Sequence, residues 1–119
     1  LTDVELELMQ LIWTLGDCTT REVIDALPKA RALAYTTVAT MIKILEQKGA
    51  VTCQKKERAI LVKAKVSRQD YQAASLRHFN EMVFQGDVGS MVSRLIDENE
   101  LSAEELKDLR KILDERLKS

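Results

Sequence analysis

The sequence predicts a mainly α-helical protein with one small β-hairpin, in which a winged helix-turn-helix at residues 1–66 precedes a three-helix region at residues 67–119. Three observations predict it: an amphipathic helix with a polar outer face, two β-rich segments directly after that helix, and three further amphipathic helices toward the end. The chain has 119 residues, of which 45% are hydrophobic and 31% charged, a composition typical of a globular protein.

Capping boxes and apolar periodicity predict the first two helices. Thr2 and Glu5 have the spacing of a capping box, and Thr19 and Glu22 repeat it before a short helix that Pro28 ends. Cys18 and Thr19 could form a short strand between these helices, and Trp13 is expected to pack against another segment. The residues expected to face inward are Leu1, Val4, Leu8, Leu11, Ile12, Leu15, Val23, Ile24 and Leu27.

The third helix, predicted from Tyr35 to Lys48, has two contrasting faces, and Gly49 is its expected C-cap. Its apolar face has helical spacing and consists of Val38, Met41, Ile42 and Leu45. Its opposite face lacks carboxylates and carries Thr36, Thr40, Lys43 and Gln47. Hydroxyl, amide and ammonium groups can hydrogen-bond to base edges and phosphates, although a solvated helix face would have the same composition.

A β-hairpin is predicted after this helix, with strands at residues 51–54 and 59–64 and a charged turn between them. Because the turn lacks Asn-Gly or Asp-Gly, we expect a loop of three to five residues. Helix, short helix, helix and hairpin in this order are typical of a winged helix-turn-helix, whose third helix enters the DNA major groove. The expected DNA contacts are Arg31, Tyr35, Thr36, Thr40 and Lys43, with Thr37 at the edge of the face, and Lys55, Lys56 and Arg58 in the wing.

Charge is segregated along the chain, whose net charge is only −1. Residues 29–68 carry ten Lys or Arg against two carboxylates, a net charge of +8, whereas residues 1–28 and 69–119 carry −5 and −4. A basic block between acidic flanks indicates a polyanionic partner, and this block contains the third helix and the hairpin.

The three C-terminal helices each have an apolar face, and Ser102 with Glu105 forms another capping box. A region of this size cannot bury three such faces by itself, so we expect it to pair with a second copy in a two-fold homodimer. The expected dimerisation residues are Tyr71, Phe79, Met82, Val88, Met91, Val92, Leu95, Ile96, Leu106, Leu109, Ile112 and Leu113.

Neither catalytic nor metal-binding residues are expected, and no cofactor is expected. The single histidine, His78, lies on a helical stripe, and the chain shows no nucleophile–histidine set, phosphate loop or paired Cys/His ligands. Two lone cysteines, Cys18 and Cys53, without a signal peptide or apolar span, favour a cytoplasmic protein; a thiol sensor is the other interpretation of these cysteines. Because the sequence starts at Leu1, we expect an initiator methionine and a few residues to precede it.

Three segments are similar to the penicillinase-repressor family, which includes the β-lactamase and methicillin-resistance repressors and copper-responsive relatives. They are Leu-Thr-Asp-Val-Glu-Leu-Glu-Leu-Met-Gln-Leu-Ile-Trp at 1–13, Thr-Arg-Glu-Val at 20–23, and Ala-Tyr-Thr-Thr-Val-Ala-Thr-Met at 34–41. The segment Leu-Ser-Ala-Glu-Glu-Leu-Lys-Asp-Leu at 101–109 resembles the family's dimerisation region. The resemblance implies a bacterial homodimeric repressor of a palindromic operator, with Thr37 and Thr40 contacting DNA.

The chain departs from that family in several places. Ile44 occupies a position where many members have Arg, and the wing turn lacks the glycine that many members carry. In the β-lactam-responsive branch a sensor-linked protease cuts between Asn and Phe, whereas the aligned pair here is Arg94-Leu95, so that partner is not expected. The cysteine-rich C-terminus of the copper-responsive branch is missing too. A winged-helix module that binds protein instead of DNA is the alternative function, and its mark would be an acidic or apolar outer face on the third helix.

Overall fold

The computed structural model describes residues 1–118 and confirms the predicted fold class, which is mainly α-helical with one small antiparallel sheet. A 3-10 turn at Lys29–Arg31 occupies part of a segment predicted to be loop. The chain divides into two compact units, Leu1–Ala73 and Ala74–Ser119. The elements are α1 (Asp3–Leu15), β1 (Cys18–Thr19), α2 (Thr20–Ala26), α3 (Tyr35–Gln47), β2 (Val51–Lys56), β3 (Ala59–Ala64), α4 (Arg68–Phe84), α5 (Val88–Glu98) and α6 (Ala103–Leu117).

The three predicted capping boxes are present and begin α1, α2 and α6. In each box, the N-cap hydroxyl accepts a hydrogen bond from the glutamate amide and the glutamate carboxylate accepts one from the N-cap amide. These paired bonds satisfy amides that the first helical turn leaves open. The sequence therefore specifies where these helices start.

The strands of the first unit lie in the order β1-β3-β2, with both pairs antiparallel. The predicted short strand β1 is confirmed, since Cys18 pairs with Val62 and Thr19 with Leu61. Strands β2 and β3 pair as far as Lys56 and Ala59, so that Lys55 and Lys56 belong to β2 and not to the turn.

The predicted hairpin loop of three to five residues is wrong. Only Glu57 and Arg58 connect the strands, because the ladder continues to the Lys56–Ala59 pair. Glu57 has a φ of 55°, the left-handed conformation that glycine usually supplies in short hairpin turns. The long ladder thus holds a non-glycine residue in a conformation that the sequence does not reveal.

One hydrophobic core holds the first unit together. In α1 the predicted inward face is partly wrong: Leu1 and Leu15 are exposed, while Glu5 and Met9 are buried. Leu1 precedes the N-cap and Leu15 is the last residue of α1, so neither reaches the core that the middle of the helix covers. The core residues are Leu8, Met9, Ile12, Cys18, Val23, Val38, Ile42, Leu45, Ala50, Val51 and Val62.

Helix α3 ends in a Schellman motif. The Ala50 amide donates to the Leu45 carbonyl at 2.9 Å and the Gly49 amide donates to the Glu46 carbonyl at 3.0 Å. Gly49 has a φ of 81°, so the predicted glycine C-cap is confirmed. Because Leu45 and Ala50 are both buried, the motif joins the helix end to the core.

Trp13 packs against the segment that follows the hairpin, as predicted. Its indole N–H donates to the Val66 carbonyl at 2.9 Å, and the Arg68 guanidinium lies 5.7 Å from its ring centroid. Tyr71, one of the predicted dimerisation residues, lies 5.6 Å from Trp13, centroid to centroid, and its role in a dimer stays a prediction. These contacts place the first turn of α4 in the unit that reaches Ala73, whereas the functional boundary at 66/67 stays a prediction.

The second unit exposes most of its apolar side chains. Among the described residues 74–118, Asn80 is the only buried one. Met91 and Ile96 of α5 are half-buried, but Leu95 is 60% exposed and Leu113 of α6 is 63% exposed. A single copy of this unit therefore lacks a core. The other exposed large apolar residues here are Leu76, Phe79, Met82, Val83, Val88, Val92, Leu106, Leu109, Ile112 and Leu117.

The sheet keeps the two cysteines apart. Cys18 and Cys53 pair with Val62 from opposite sides, so their Cα atoms are two strand spacings apart, roughly 10 Å. A disulfide needs Cα atoms within about 7 Å, which excludes a bond between these two residues in this fold. Burial, the largest cause, and nearby carboxylates raise the pKa of both thiols, which disfavours the reactive thiolate.

An ion pair between the buried Glu5 and the exposed Lys48 joins the start of α1 to the end of α3. Glu5 is only 4% exposed, and its carboxylate accepts hydrogen bonds from the Lys48 ammonium at 2.7 and 3.1 Å and from the Thr2 amide at 2.8 Å. The Lys48 ammonium, followed by the Thr2 amide, holds the pKa of Glu5 below its ordinary value. The charged form of Glu5 therefore favours the folded state.

We predict that Glu5→Gln lowers the free energy of unfolding at pH 7. The parent chain should lose stability as the pH falls from about 5 through the lowered folded-state pKa of Glu5, because protonation removes the pair with Lys48. Glu5→Gln should lose less over the same range, since this group no longer titrates. Denaturant unfolding, followed by the fluorescence of Trp13, the single tryptophan, at pH 7 and pH 4, measures both effects.

Glu7→Gln is the matched control, because Glu7 lies on the same helix as Glu5 and forms an exposed ion pair with Arg31. Its effect at pH 7 should stay within about 0.5 kcal/mol. A larger loss of stability for Glu7→Gln than for Glu5→Gln would contradict the importance of the Glu5–Lys48 pair.

Candidate nucleic-acid interface

The outer face of α3 is exposed and free of carboxylates from its first turn to Lys43. The structure places Tyr35, Thr36, Thr37, Thr40 and Lys43 on the surface of this helix. The opposite side is packed: Met41 is half-buried, and the buried residues are Val38, Ile42 and Leu45. The packing of the apolar side thus holds the polar side in one fixed orientation.

Thr40 has a defined hydrogen-bonding character. Its hydroxyl donates to the Thr36 carbonyl one turn earlier, at 2.8 Å. The hydroxyl proton is therefore already used in a hydrogen bond. Thr40 presents to the outside a methyl group and a hydroxyl oxygen that can accept a further hydrogen bond. Cytosine and adenine amino groups are donors in the major groove, and thymine presents a methyl group there.

Ion pairs offset three of the ten basic residues at 29–68. Lys48 pairs with Glu5, and Lys63 with Asp17 at 3.7 Å. Arg31 also forms two hydrogen bonds of 3.0 Å with Glu7. In all three pairs the acidic partner comes from residues 1–28, so the opposite charges of these two segments partly neutralise each other in the fold.

Four exposed cations without a carboxylate partner lie on α3 and at the end of the hairpin. Among residues 1–118, Lys43, Lys55, Lys56 and Arg58 have no carboxylate oxygen within 4.0 Å, and all four are exposed. Lys43 lies on α3 itself, and the others lie at the end of the hairpin. The fold therefore leaves unpaired positive charge on the helix and the wing that are predicted to contact DNA.

Arg31 differs from the other expected contacts, because its guanidinium is directed at α1. Both hydrogen bonds to Glu7 would have to break before Arg31 could contact DNA. Both side chains of the pair are exposed, at 44% and 46%, and exposed ion pairs contribute less than about 1 kcal/mol to stability. Separating Arg31 from Glu7 therefore requires little free energy.

Arg21 is a residue that the sequence analysis missed. It lies in the first turn of α2, outside the predicted DNA contacts, and it is the single basic residue among residues 1–28. In the structure its guanidinium lies over the ring of Tyr35, 5.3 Å from the centroid. No periodic pattern links positions 21 and 35, so only the packing of α2 against α3 brings them together.

Among residues 1–118 no group of three or more His, Cys, Asp or Glu side chains is placed to hold a metal ion. None of the described helices is long and apolar enough to cross a membrane.

Residues 1–115 match the model of the penicillinase repressor family. The chain belongs to this family. It is 32% identical to the penicillinase repressor of Bacillus licheniformis over 115 residues, which are 97% of this chain and 90% of that protein. It is also 24% identical to the methicillin resistance regulatory protein MecI of Mammaliicoccus sciuri, over 98% of this chain and 94% of that protein.

Two solved structures of a penicillinase-repressor relative resemble part of the fold. The solution structure of the DNA-binding domain of the repressor BlaI has a TM-score of 0.53 and 34% identity, covering 60% of this chain and 87% of that one. A solution structure of monomeric Bacillus licheniformis BlaI in complex with the blaP half-operator has a TM-score of 0.50, with the same identity and coverage. The family is one of repressors, so membership confirms that the chain is not an enzyme.

Proposed function

We propose that this penicillinase-repressor family member is a homodimeric transcriptional repressor that binds a palindromic operator through α3 and the wing. The observation that carries the proposal is the exposed, carboxylate-free face of α3, flanked by the unpaired cations of the hairpin. Repression would follow from occlusion, because a dimer bound at a promoter occupies DNA that the transcription machinery needs.

The two surfaces have separate roles in this proposal. Thr36, Thr40 and Lys43 present groups that can read base edges, whereas Lys55 and Lys56 supply charge to the phosphate backbone. The relative BlaI is described in complex with a half-operator as a monomer, which supports one winged helix reading one half-site. Here each copy would supply one α3 helix, about 10 base pairs or a multiple of that from its partner.

The homodimer is supported by the apolar surface of the second unit. Its α5 and α6 expose leucine, isoleucine and valine side chains along one face of each helix, and a contiguous exposed apolar surface is typical of an interaction site. A second copy offers the same apolar faces, so an interface between identical units would bury both sets at once.

A winged-helix module that binds protein is the competing function. Such a module would present an acidic or apolar outer face on α3. The face observed here is polar and bears Lys43 without a carboxylate partner in the described chain, which favours DNA.

For the reading face, we predict that selection from random duplex DNA enriches two inverted half-sites. Thr40→Ala or Lys43→Ala should then change the preferred bases and reduce the discrimination between operator and random DNA by about 1–3 kcal/mol per lost base contact. Gel-shift titrations on operator and scrambled duplexes measure this ratio. Absence of enrichment by the parent chain would favour the protein-binding module. An unchanged ratio of operator to scrambled-duplex binding in both variants would contradict the placement of α3 in the major groove.

For the wing, we predict that Lys55→Ala and Lys56→Ala weaken binding to all duplexes similarly. Each lost phosphate contact should reduce the slope of log K against log salt by about 0.9, because fewer counterions are released on binding. Lys111→Ala, on α6, is the control with the same chemistry away from the wing and should leave the slope unchanged. A loss confined to one DNA sequence would contradict the backbone role of the wing.

For the second unit, we predict that the parent chain sediments as a dimer at micromolar concentration and that Leu113→Glu shifts it toward monomer. The glutamate would place a charge inside the apolar interface, where it would lack a partner. Lys111→Glu changes charge on the opposite side of the same helix and should leave the dimer intact. A stable, folded monomer of the parent chain at that concentration would rule out the proposed assembly.

A further inference from the structure

An open cleft of about 270 Å³ lies beside the reading face of α3. Its walls come from the start of α2, the first residue of α3 and the end of the hairpin, which contribute Thr20, Arg21, Tyr35, Arg58 and Ile60 among others. It therefore adjoins both surfaces to which the proposed function assigns DNA contact. None of its lining residues is acidic.

The cleft contains two guanidinium groups without carboxylate partners. Among the described residues, neither Arg21 nor Arg58 forms an ion pair, although both are exposed and other surface arginines, such as Arg31 and Arg94, do form one. The carboxylate next to Arg21 in the chain, that of Glu22, is held by the Thr19 amide at 3.0 Å as part of the capping box. The fold thus places two positive charges at one surface depression.

Arg21 is also oriented. Its guanidinium lies 5.3 Å from the centre of the Tyr35 ring, a contact that restricts the side chain and leaves its N–H donors available at the edge. A planar guanidinium held in this way matches the two oxygens of a phosphate better than a mobile ammonium does.

The start of α3 adds to the positive character of the cleft. Its N-cap residue, Ala34, supplies no side-chain hydrogen bond, so the first-turn amides of this thirteen-residue helix keep their capacity for an external acceptor. These amides and the helix dipole favour an anion near Tyr35.

We propose that this cleft binds one phosphodiester of the DNA backbone in each half-site, with Arg21 as a phosphate-binding residue and Arg58 as its partner across the cleft. The inference rests on the proposed DNA-binding function and extends it to α2, which the sequence analysis did not assign to the interface. The Arg21–Tyr35 contact would fix the angle at which α3 enters the groove, because it ties a backbone contact to the first residue of that helix.

The test compares the parent chain with Arg21→Ala, Arg21→Lys and the control Arg110→Ala on α6, each shown to be folded by circular dichroism. Binding is titrated on operator and scrambled duplexes over a salt series. Arg21→Ala should weaken both duplexes by the same factor and reduce the salt slope by about 0.9, whereas Arg110→Ala should change neither. Arg21→Lys should keep the slope but bind more weakly, because a lysine keeps the charge and loses the planar contact.

Neutral phosphate replacements locate the contact. A single methylphosphonate is placed in turn at each backbone position of a half-site. At one position it should weaken DNA binding by the parent chain but not DNA binding by Arg21→Ala. An unchanged salt slope together with an unchanged methylphosphonate profile in Arg21→Ala would overturn the inference while leaving the proposed function standing.

Two further outcomes distinguish a failure of the cleft proposal from a failure of the proposed function. If the parent chain binds no duplex DNA at low salt, the proposed function fails, and the cleft proposal with it. If inorganic phosphate, added at constant ionic strength without DNA, binds saturably to the parent chain but not to Arg21→Ala, and the DNA salt slope is the same for both, the cleft is a site for a small anion and the backbone assignment is wrong.

Discussion

Burial of the apolar face of α3 is the constraint on which the rest of the first unit depends. Val38, Ile42 and Leu45 enter the core with α1, α2 and the sheet, and removing any of these side chains would cost about 2–4 kcal/mol. A helix anchored on one face can expose only the other, so the orientation of Thr36, Thr40 and Lys43 follows from packing on the far side. The Schellman motif at Gly49 and the Glu5–Lys48 pair hold the end of the same helix in place.

Ion pairs within the fold offset part of the positive charge of the chain. The basic middle of the chain meets the acidic first segment, and Glu5, Glu7 and Asp17 each pair with one of its cations. Cations without a carboxylate partner in the described chain include those on the outer side of α3 and at the end of the hairpin. The surface offered to a polyanion is therefore smaller and better defined than the block of net charge +8 in the sequence indicates.

The second unit leaves most of its apolar side chains exposed in a single copy. Helix α6 starts where the sequence predicts, at the capping box of Ser102, and α5 starts after Asp87 as its N-cap, but the apolar faces of this unit meet too few partners within one copy. Local signals are sufficient to define helices, whereas a core requires apolar faces on at least two sides. In the proposed dimer the second copy supplies the missing side, so that the spacing of the two reading helices depends on the same apolar contacts as the stability of the unit.

The sequence by itself determined the features that depend on near neighbours. These are the three capping boxes, the glycine end of α3, the two faces of that helix, and the order of elements that indicates a winged helix. Tertiary structure alone decided the features that join distant residues. It placed Arg21 over Tyr35 and Tyr71 beside Trp13, and it directed Arg31 toward Glu7. It also held Glu57 in a left-handed two-residue turn by extending the ladder to Lys56 and Ala59. The physical reason is range: periodicity and capping act over three to seven residues of chain, while ring stacking, ion pairs and strand register act through space between segments whose separation no local pattern encodes.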